Sequence, residues 1–293
     1  MKRLSKFCIL SIILIILSIS VVSASEVDNG NIQSSISDSI QMSNENEESN
    51  LIGNDENTNQ DILSASSSGT VHKVSPSNYS KYFNKNGYVN TSVVKSGDTI
   101  DLSGNFNKVN FTFTIPCSIT SSQKNAYLSN CVVYYFKVNS TTYSNVSNLK
   151  FTVNLEFHPC VYINQSSRIN VFNCNAYSTA ANSNPTLLVG STFCNIHGNV
   201  FETTFTGYMN MSWKRAGILL GESHYNNIYS NDVTVKDSNG IYLTTYGWEK
   251  SNYNNIYNNT IRSSAISEET GLPNPSAWAY GVHIMGDYNK AIN

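Results

Sequence analysis

Charge is scarce in this chain: Asp, Glu, Lys and Arg together make up 13 % of 293 residues, and the formal balance at pH 7 is −2. Proline occurs six times, and the strong helix formers Ala, Glu and Lys are sparse, which argues against a helical domain. No C-x-x-C pair and no Cys/His spacing suited to zinc occurs, so no metal site is expected. Cys8 apart, the chain carries Cys117, Cys131, Cys160, Cys174 and Cys194, an odd number that excludes a fully paired disulfide framework. These five read as small buried residues. Beyond position 70 there are 15 basic and 11 acidic residues, too weak an excess to point to nucleic acid. Only one long apolar run exists, from Phe7 to Val22.

That run follows a basic start (Lys2, Arg3, Lys6) and ends at Val22-Ser23-Ala24. Basic, apolar and small-residue parts in that order are what the export machinery reads, so residues 1–24 are expected to be a signal peptide cleaved after Ala24. The rest then lies outside the cytoplasm. Residues 25–70 are rich in Ser, Asn, Glu and Asp and nearly free of aromatic side chains. Such a segment buries too little apolar area to offset its ordering entropy, and reads as a flexible acidic spacer.

From residue 71 to 293 the polar content is carried by Asn, Ser and Thr, alongside most of the 18 Tyr and 12 Phe. β-branched and aromatic residues suit pleated surfaces. Three segments repeat as N-I-x-x-N-x-apolar: Asn195 to Phe201, Asn227 to Val233 and Asn255 to Ile261. Arg168 to Val171 with Asn173 is a looser earlier copy, and Lys290-Ala291-Ile292-Asn293 starts another. Between them recurs a short apolar run after glycine, at Gly217-Ile218-Leu219-Leu220, Gly240-Ile241-Tyr242-Leu243 and Gly281-Val282-His283-Ile284. Val161-Tyr162-Ile163 and Leu187-Leu188-Val189 fill the same slot. A repeat of this length holds three short strands, none able to bury its inward face alone, so successive turns must stack at the strand spacing of about 4.8 Å. The expected fold is an all-β parallel β-helix. Leucine-rich horseshoes need a consensus that is absent, and propeller blades need about 40 residues each.

Asn199, Asn231 and Asn259 are assigned to the tight bend, because Asn tolerates the left-handed region and stacked amides form ladders. Earlier strands are expected at Thr99–Leu102, Phe111–Ile115, Cys131–Val138 and Leu149–Phe157. A short helix after Ser75-Pro76, bearing Tyr79, Tyr82 and Phe83, is expected to cover the first turn and hide an open strand edge. The sequence stops inside a repeat, which reads as a fragment lacking any C-terminal anchor; membrane contact is then expected only through the signal segment or that anchor.

The signal peptide, the Asn/Ser-rich spacer, Asn78-Tyr79-Ser80-Lys81-Tyr82-Phe83, Gly97-Asp98-Thr99-Ile100-Asp101-Leu102-Ser103-Gly104 and the N-I-x-x-N turns together resemble adhesin-like surface proteins of gut methanogenic archaea. These carry right-handed parallel β-helix repeats of the pectate-lyase-like superfamily. The resemblance covers nearly the whole chain, specifies fold rather than ligand, and implies a right-handed stack, a cell-surface location, and attachment to surface glycans or other cells. It implies no cofactor.

The same superfamily includes polysaccharide lyases and hydrolases, which need a base beside Ca²⁺-binding carboxylates or paired carboxylates on neighbouring turns. Here Glu202, Glu222, Asp232, Asp237, Glu249 and Asp287 are scattered; Asp232 and Asp237 form a site with Arg215 or Arg262 only if stacking joins them. His158, His197, His224 and His283 stand at different offsets in the repeat, and His197 takes the place of Tyr after Ile196, an outward position. Trp213 and Trp278 each precede a Gly-led strand and Trp248 follows one. With Tyr208, Tyr246 and Tyr280 they would form an aromatic platform for sugar rings, or alternatively pin loops onto the stack. Sequons begin at Asn78, Asn90, Asn110, Asn139, Asn145, Asn164 and Asn210, and at Asn258 beside the bend.

Overall fold

The computed structural model describes residues 69–180, 183–204, 216–245, 249–264 and 279–292, all within one compact unit. Strand β1 (Val71–Val74) and helix α1 (Tyr79–Tyr82) come first. Seven turns of three strands follow. They are β2 (Thr99–Leu102), β3 (Gly104–Asn107) and β4 (Asn110–Phe113); β5 (Ser118–Thr120), β6 (Ala126–Ser129) and β7 (Val132–Phe136); β8 (Ser144–Ser147), β9 (Lys150–Val153) and β10 (Val161–Asn164). Next come β11 (Ile169–Phe172), β12 (Asn175–Ser178) and β13 (Thr186–Val189); then β14 (Asn195–His197), β15 (Val200–Thr204) and β16 (Ala216–Gly221). The last are β17 (Asn227–Tyr229), β18 (Asp232–Lys236) and β19 (Asn239–Thr244); then β20 (Asn255–Tyr257), β21 (Thr260–Ser264) and β22 (Val282–Ile284), with β23 (Lys290–Ile292) opening an eighth turn.

Three sheets result. Sheet I stacks β1, β2, β5, β8, β11, β14, β17, β20 and β23; sheet II runs from β3 to β21 and sheet III from β4 to β22, each with one strand per turn. The strand pairings are parallel, so the chain is the expected β-solenoid. Val71–Val74, not singled out in the sequence, pairs with β2 and extends sheet I ahead of the helix.

The register keeps one side-chain column through many turns. Ile119, Val146, Val171, Ile196, Ile228 and Ile256 are successive partners in sheet I, and each is at most 3 % exposed. Ile163, Leu188, Leu220, Leu243 and Ile284 form the matching column in sheet III, so the Gly-led and Gly-less runs do occupy one slot. Alternation in each strand sends these residues inward. The repeat length varies with the connections from sheet II to sheet III and from sheet III to sheet I: Asn145, Asn170, Asn195, Asn227 and Asn255 follow one another at 25, 25, 32 and 28 residues.

Corners between sheets I and II use left-handed residues at Asn148, Asn173, Gly198, Ser230 and Asn258, with φ of 57°, 52°, 61°, 54° and 52°. This corrects the assignment of the left-handed bend to Asn199, Asn231 and Asn259, which follow it by one residue. The left-handed residue throws its side chain outward, and the next one turns inward and meets main-chain groups that the corner leaves unpaired. There the expected ladder forms. The Cys174 N–H donates to Asn199 Oδ1 at 2.9 Å, Asn199 Nδ2 to Asn231 Oδ1 at 2.9 Å, and Asn231 Nδ2 to Asn259 Oδ1 at 2.9 Å. A second buried ladder, at the corner entering sheet I, runs from the Cys194 N–H to Asn226, Asn254 and Asn289. A third column is serine: the main-chain N–H of Ser166, Ser191 and Ser223 each donates to the hydroxyl one turn on, at Ser191, Ser223 and Ser251.

The N-terminal end is sealed by aromatic rings. Phe83 packs edge-on against Phe111 at 5.2 Å and Phe113 at 5.8 Å, and Tyr79 of α1 meets Phe111 at 5.6 Å. The short helix covers the first turn as expected, starting at Tyr79 rather than at Ser75-Pro76. All five cysteines are buried and unbridged.

Candidate binding face

The outer surface of sheet I is built from three parallel columns. Residues alternating with the inward Ile column form the middle one: Asn170 Nδ2 donates to Asn145 Oδ1, Asn195 to Asn170, Asn227 to Asn195 and Asn255 to Asn227, at 2.9–3.0 Å. An amide carries two N–H groups and two acceptor lone pairs. Each inner member of this column spends one of each on its neighbours and turns one of each to solvent.

Two residues further along each strand lies a ring column. Phe172, His197, Tyr229 and Tyr257 stack at centroid distances of 5.3, 4.7 and 4.9 Å, with planes within 5°. On the other flank, at the corner entering sheet I, Phe193, Tyr225, Tyr253 and Tyr288 stack at 5.4, 4.9 and 4.9 Å, with planes within 11°. The Arg168 guanidinium caps this second stack, 5.2 Å from the Phe193 ring centre. Phe193, Tyr225, Tyr253 and Tyr288 are 43 %, 48 %, 43 % and 75 % exposed.

This flank is made of left-handed residues: Arg168, Phe193, Tyr225, Tyr253 and Tyr288 have φ between 56° and 58°. A bulky side chain in that region costs about 1–2 kcal/mol, and a stacked aromatic pair returns about 0.5–1.5 kcal/mol. The two nearly cancel, so rings are tolerated where glycine would be the unstrained choice. Because neighbours cover the ring faces, the columns present ring edges and hydroxyls rather than flat platforms. Among the described residues, no hydrogen bond engages the hydroxyls of Tyr225, Tyr229, Tyr253, Tyr257 or Tyr288.

Over the three turns from Phe193 to Tyr257, the positions of these columns carry no carboxylate, lysine or arginine. Burial lowers the pKa of His197, which favours its neutral form. Charge appears only at the ends, at Arg168 and at Lys290, the partner of Asn255.

Elsewhere charges are paired and dispersed. Asp232 meets Arg262 on the outer face of sheet II, and Asp287 meets Lys250 at 3.2 Å. Glu222 and Asp237 occupy left-handed corners on different sides of the stack. Asp98 accepts from the Thr70 and Lys95 N–H groups and lies 2.8 Å from His72 Nε2, and Asp101 is held by Ser122 and Lys73. Burial alone would raise both carboxyls, but these bonds hold them below the ordinary 3.8. They pin β1 to β2 and are structural. No group of three or more metal-ligating side chains converges among the described residues.

Of the aromatic platform expected from sequence, Trp213, Trp248, Trp278, Tyr208 and Tyr246 lie outside the described residues. Tyr280 is half exposed, 4.8 Å from His283 and tilted by 58°, at the far end of sheet III rather than in a stack on sheet I. The outer side of sheet III is instead apolar, with Leu219 and Tyr242 nearly buried against Ala216 and Leu187. Among the sequons, Asn110 and Asn139 are exposed. Asn78, Asn90 and Asn164 commit their amide nitrogens to Lys73 O, Lys81 O and Tyr134 Oη, Asn145 belongs to the outer ladder, and Asn210 lies outside the described residues. Sequence reasoning placed His197, Tyr229 and Tyr257 outward but overlooked the flanking rings. The signal was the Y-N-N-I-Y pentad, present at Tyr225–Tyr229 and again at Tyr253–Tyr257.

No family model matches the chain, and no curated protein does. Among solved structures it is similar to an alginate lyase from Paenibacillus sp. str. FPU-7, at 10 % identity, covering 75 % of this chain and 99 % of that one, with a TM-score of 0.33. A likeness of that degree carries nothing about activity.

Proposed function

We propose that this chain is an exported, surface-located binding scaffold of the adhesin-like kind, whose solenoid holds glycans of other cells or surfaces without cleaving them. The observation that carries the reading is the outer face of sheet I, a continuous, exposed and largely uncharged array of amides and phenols repeated turn after turn. Hydrogen-bonding groups held rigidly on a scaffold, with valence left over, are what neutral polyhydroxylated ligands require. The alternative, a secreted polysaccharide lyase or glycoside hydrolase, needs carboxylates brought together with a base; Glu222 and Asp287 lie two turns apart on the corner from sheet III to sheet I, whereas Asp232 and Asp237 stand at the two ends of β18 in sheet II. A glycan array probed with the purified protein, beside an assay for new chain ends on polysaccharide, tests the reading. Binding without cleavage is expected, and cleavage sinks it. Trp213→Ala and Trp278→Ala variants run on the same array decide whether the tryptophan segments take part; unchanged binding removes them from consideration.

A further inference from the structure

The sheet I face has a chemistry and a repeat that narrow its ligand, taking the binding-scaffold reading as given. We propose that it binds an extended, uncharged β-linked hexopyranose chain lying along the stack axis, with one sugar facing each turn.

Three features lead there. The first is the period. The ring columns repeat every 4.7–4.9 Å over the turns carrying His197, Tyr229 and Tyr257, and again over Tyr225, Tyr253 and Tyr288. An extended β-1,4-linked pyranose chain advances by slightly more than one such step per sugar and turns successive sugars over, so one contact set recurs at every second turn, and amides that both donate and accept serve either facing. The second is the pattern of free valence. Each inner amide, at Asn170, Asn195 and Asn227, offers one N–H and one lone pair outward, and a sugar hydroxyl both donates and accepts. Tyr225 and Tyr229, or Tyr253 and Tyr257, add a phenol on either side of that amide. The third is charge. Between Arg168 and Lys290 the columns hold no ionised side chain, so an acidic polymer finds no partner for its carboxylates there, whereas a neutral one loses nothing.

The ring geometry sharpens the mode of contact. Ring faces are covered by stacking, so sugars meet hydroxyls and ring edges, and recognition rests on hydrogen bonds in register. Affinity must then grow with chain length until the ladder is spanned. The left-handed ring column fits this: those corners project side chains outward at the flank where the unstrained residue would be glycine.

The test uses the full chain and titrates it by calorimetry with cellobiose through cellohexaose and with chitohexaose, against alginate and polygalacturonate oligomers. Asn195→Lys and Asn227→Lys place a charge in the amide column, and Thr234→Lys places one on the outer face of sheet II as a control; melting curves check that each folds. The expected result is affinity rising with each added neutral sugar, lowered at least about tenfold by either Asn variant, the equivalent of one or two lost hydrogen bonds, and unchanged by Thr234→Lys. Glycan binding that survives both Asn variants, or that favours the acidic oligomers, overturns this inference and leaves the scaffold reading standing. Absence of binding to every glycan on the array overturns both.

Discussion

Replacing Asn231 by alanine takes out a side chain that is 2 % exposed and makes four hydrogen bonds. Its Oδ1 accepts from the Asn199 main-chain N–H at 3.1 Å and from Asn199 Nδ2 at 2.9 Å, and its Nδ2 donates to Ile196 O and Asn259 Oδ1, both at 2.9 Å. Asn259 Oδ1 keeps the Asn231 N–H, and Asn199 Nδ2 keeps Val171 O. What alanine strands is the Asn199 N–H and one amide proton of Asn199, two buried donors that water does not reach, while the Ile196 carbonyl loses one donor. At about 1–3 kcal/mol each, the loss is about 4 kcal/mol. Asn227 supplies the control, because it belongs to a ladder of five amides on the outer face, where water replaces lost partners; Asn227→Ala is expected to stay within about 0.5 kcal/mol of the parent. Urea unfolding followed by circular dichroism reads the difference in midpoint. Since stacked turns need not unfold as one unit, hydrogen exchange at the Asn199 amide is the local readout, and it is expected to quicken about a hundredfold in Asn231→Ala alone. Equal midpoints and equal exchange in the two variants would refute the claim that the buried amides, rather than ladders as such, hold the corner.

Two further outcomes follow from packing and burial. A methyl group built on Gly240 would lie 2.3 Å from Ile261 Cγ2 and 2.5 Å from the Gly281 carbonyl oxygen, whereas one on Gly281 meets nothing nearer than 4.0 Å; Gly240→Ala is expected to cost about 1–3 kcal/mol or more and Gly281→Ala almost nothing, as thermal melting will show. Burial raises the thiols from their ordinary 9.0, Cys131 to about 11 and Cys174 and Cys194 to about 12, while burial and then the Asp98 charge raise Cys117 to about 12. A thiol that keeps its proton longer when folded contributes stability that is whole below pH 9 and falls away as pH rises towards 12. A urea midpoint flat to pH 9 and then declining, with no thiol labelled by a disulfide reagent at pH 8 until denaturant is added, is the expected pair of results; rapid native labelling would contradict it.

The stack itself was legible because its inward columns repeat in one-letter code: N-I-x-x-N in sheet I and the apolar triplet in sheet III survive steps of 25, 32 and 28 residues. The corners were misplaced by one residue, since Asn in sequence does not reveal whether it adopts the left-handed bend or lies just after it. Only the sign of φ at Gly198, Ser230 and Asn258 decides that. The ring columns were harder to see. Tyr225, Tyr253 and Tyr288 become a column only when register is known, and their spacings differ because the corners and connections between strands differ in length. The three tryptophans are the more conspicuous aromatic signal in sequence, and their positions fall outside the described residues.

Why the repeat fades towards the N-terminus has a physical reading in the columns. At the corner leaving sheet I the inward residue changes from Leu149 to Cys174, then to Asn199, Asn231 and Asn259; at the corner entering it, from Ile169 to Cys194, then to Asn226, Asn254 and Asn289. In the turn before the cysteines these positions hold the apolar Leu149 and Ile169, with a buried Ser144 one turn earlier in the second column, and the cysteines stand where the filling passes to amides: each donates its main-chain N–H to the first Asn of a ladder. The same corner is thus stabilised first by burial and later by hydrogen bonds. A search keyed to Asn finds only the second regime, and the irregular early turns are the same architecture held by a different force.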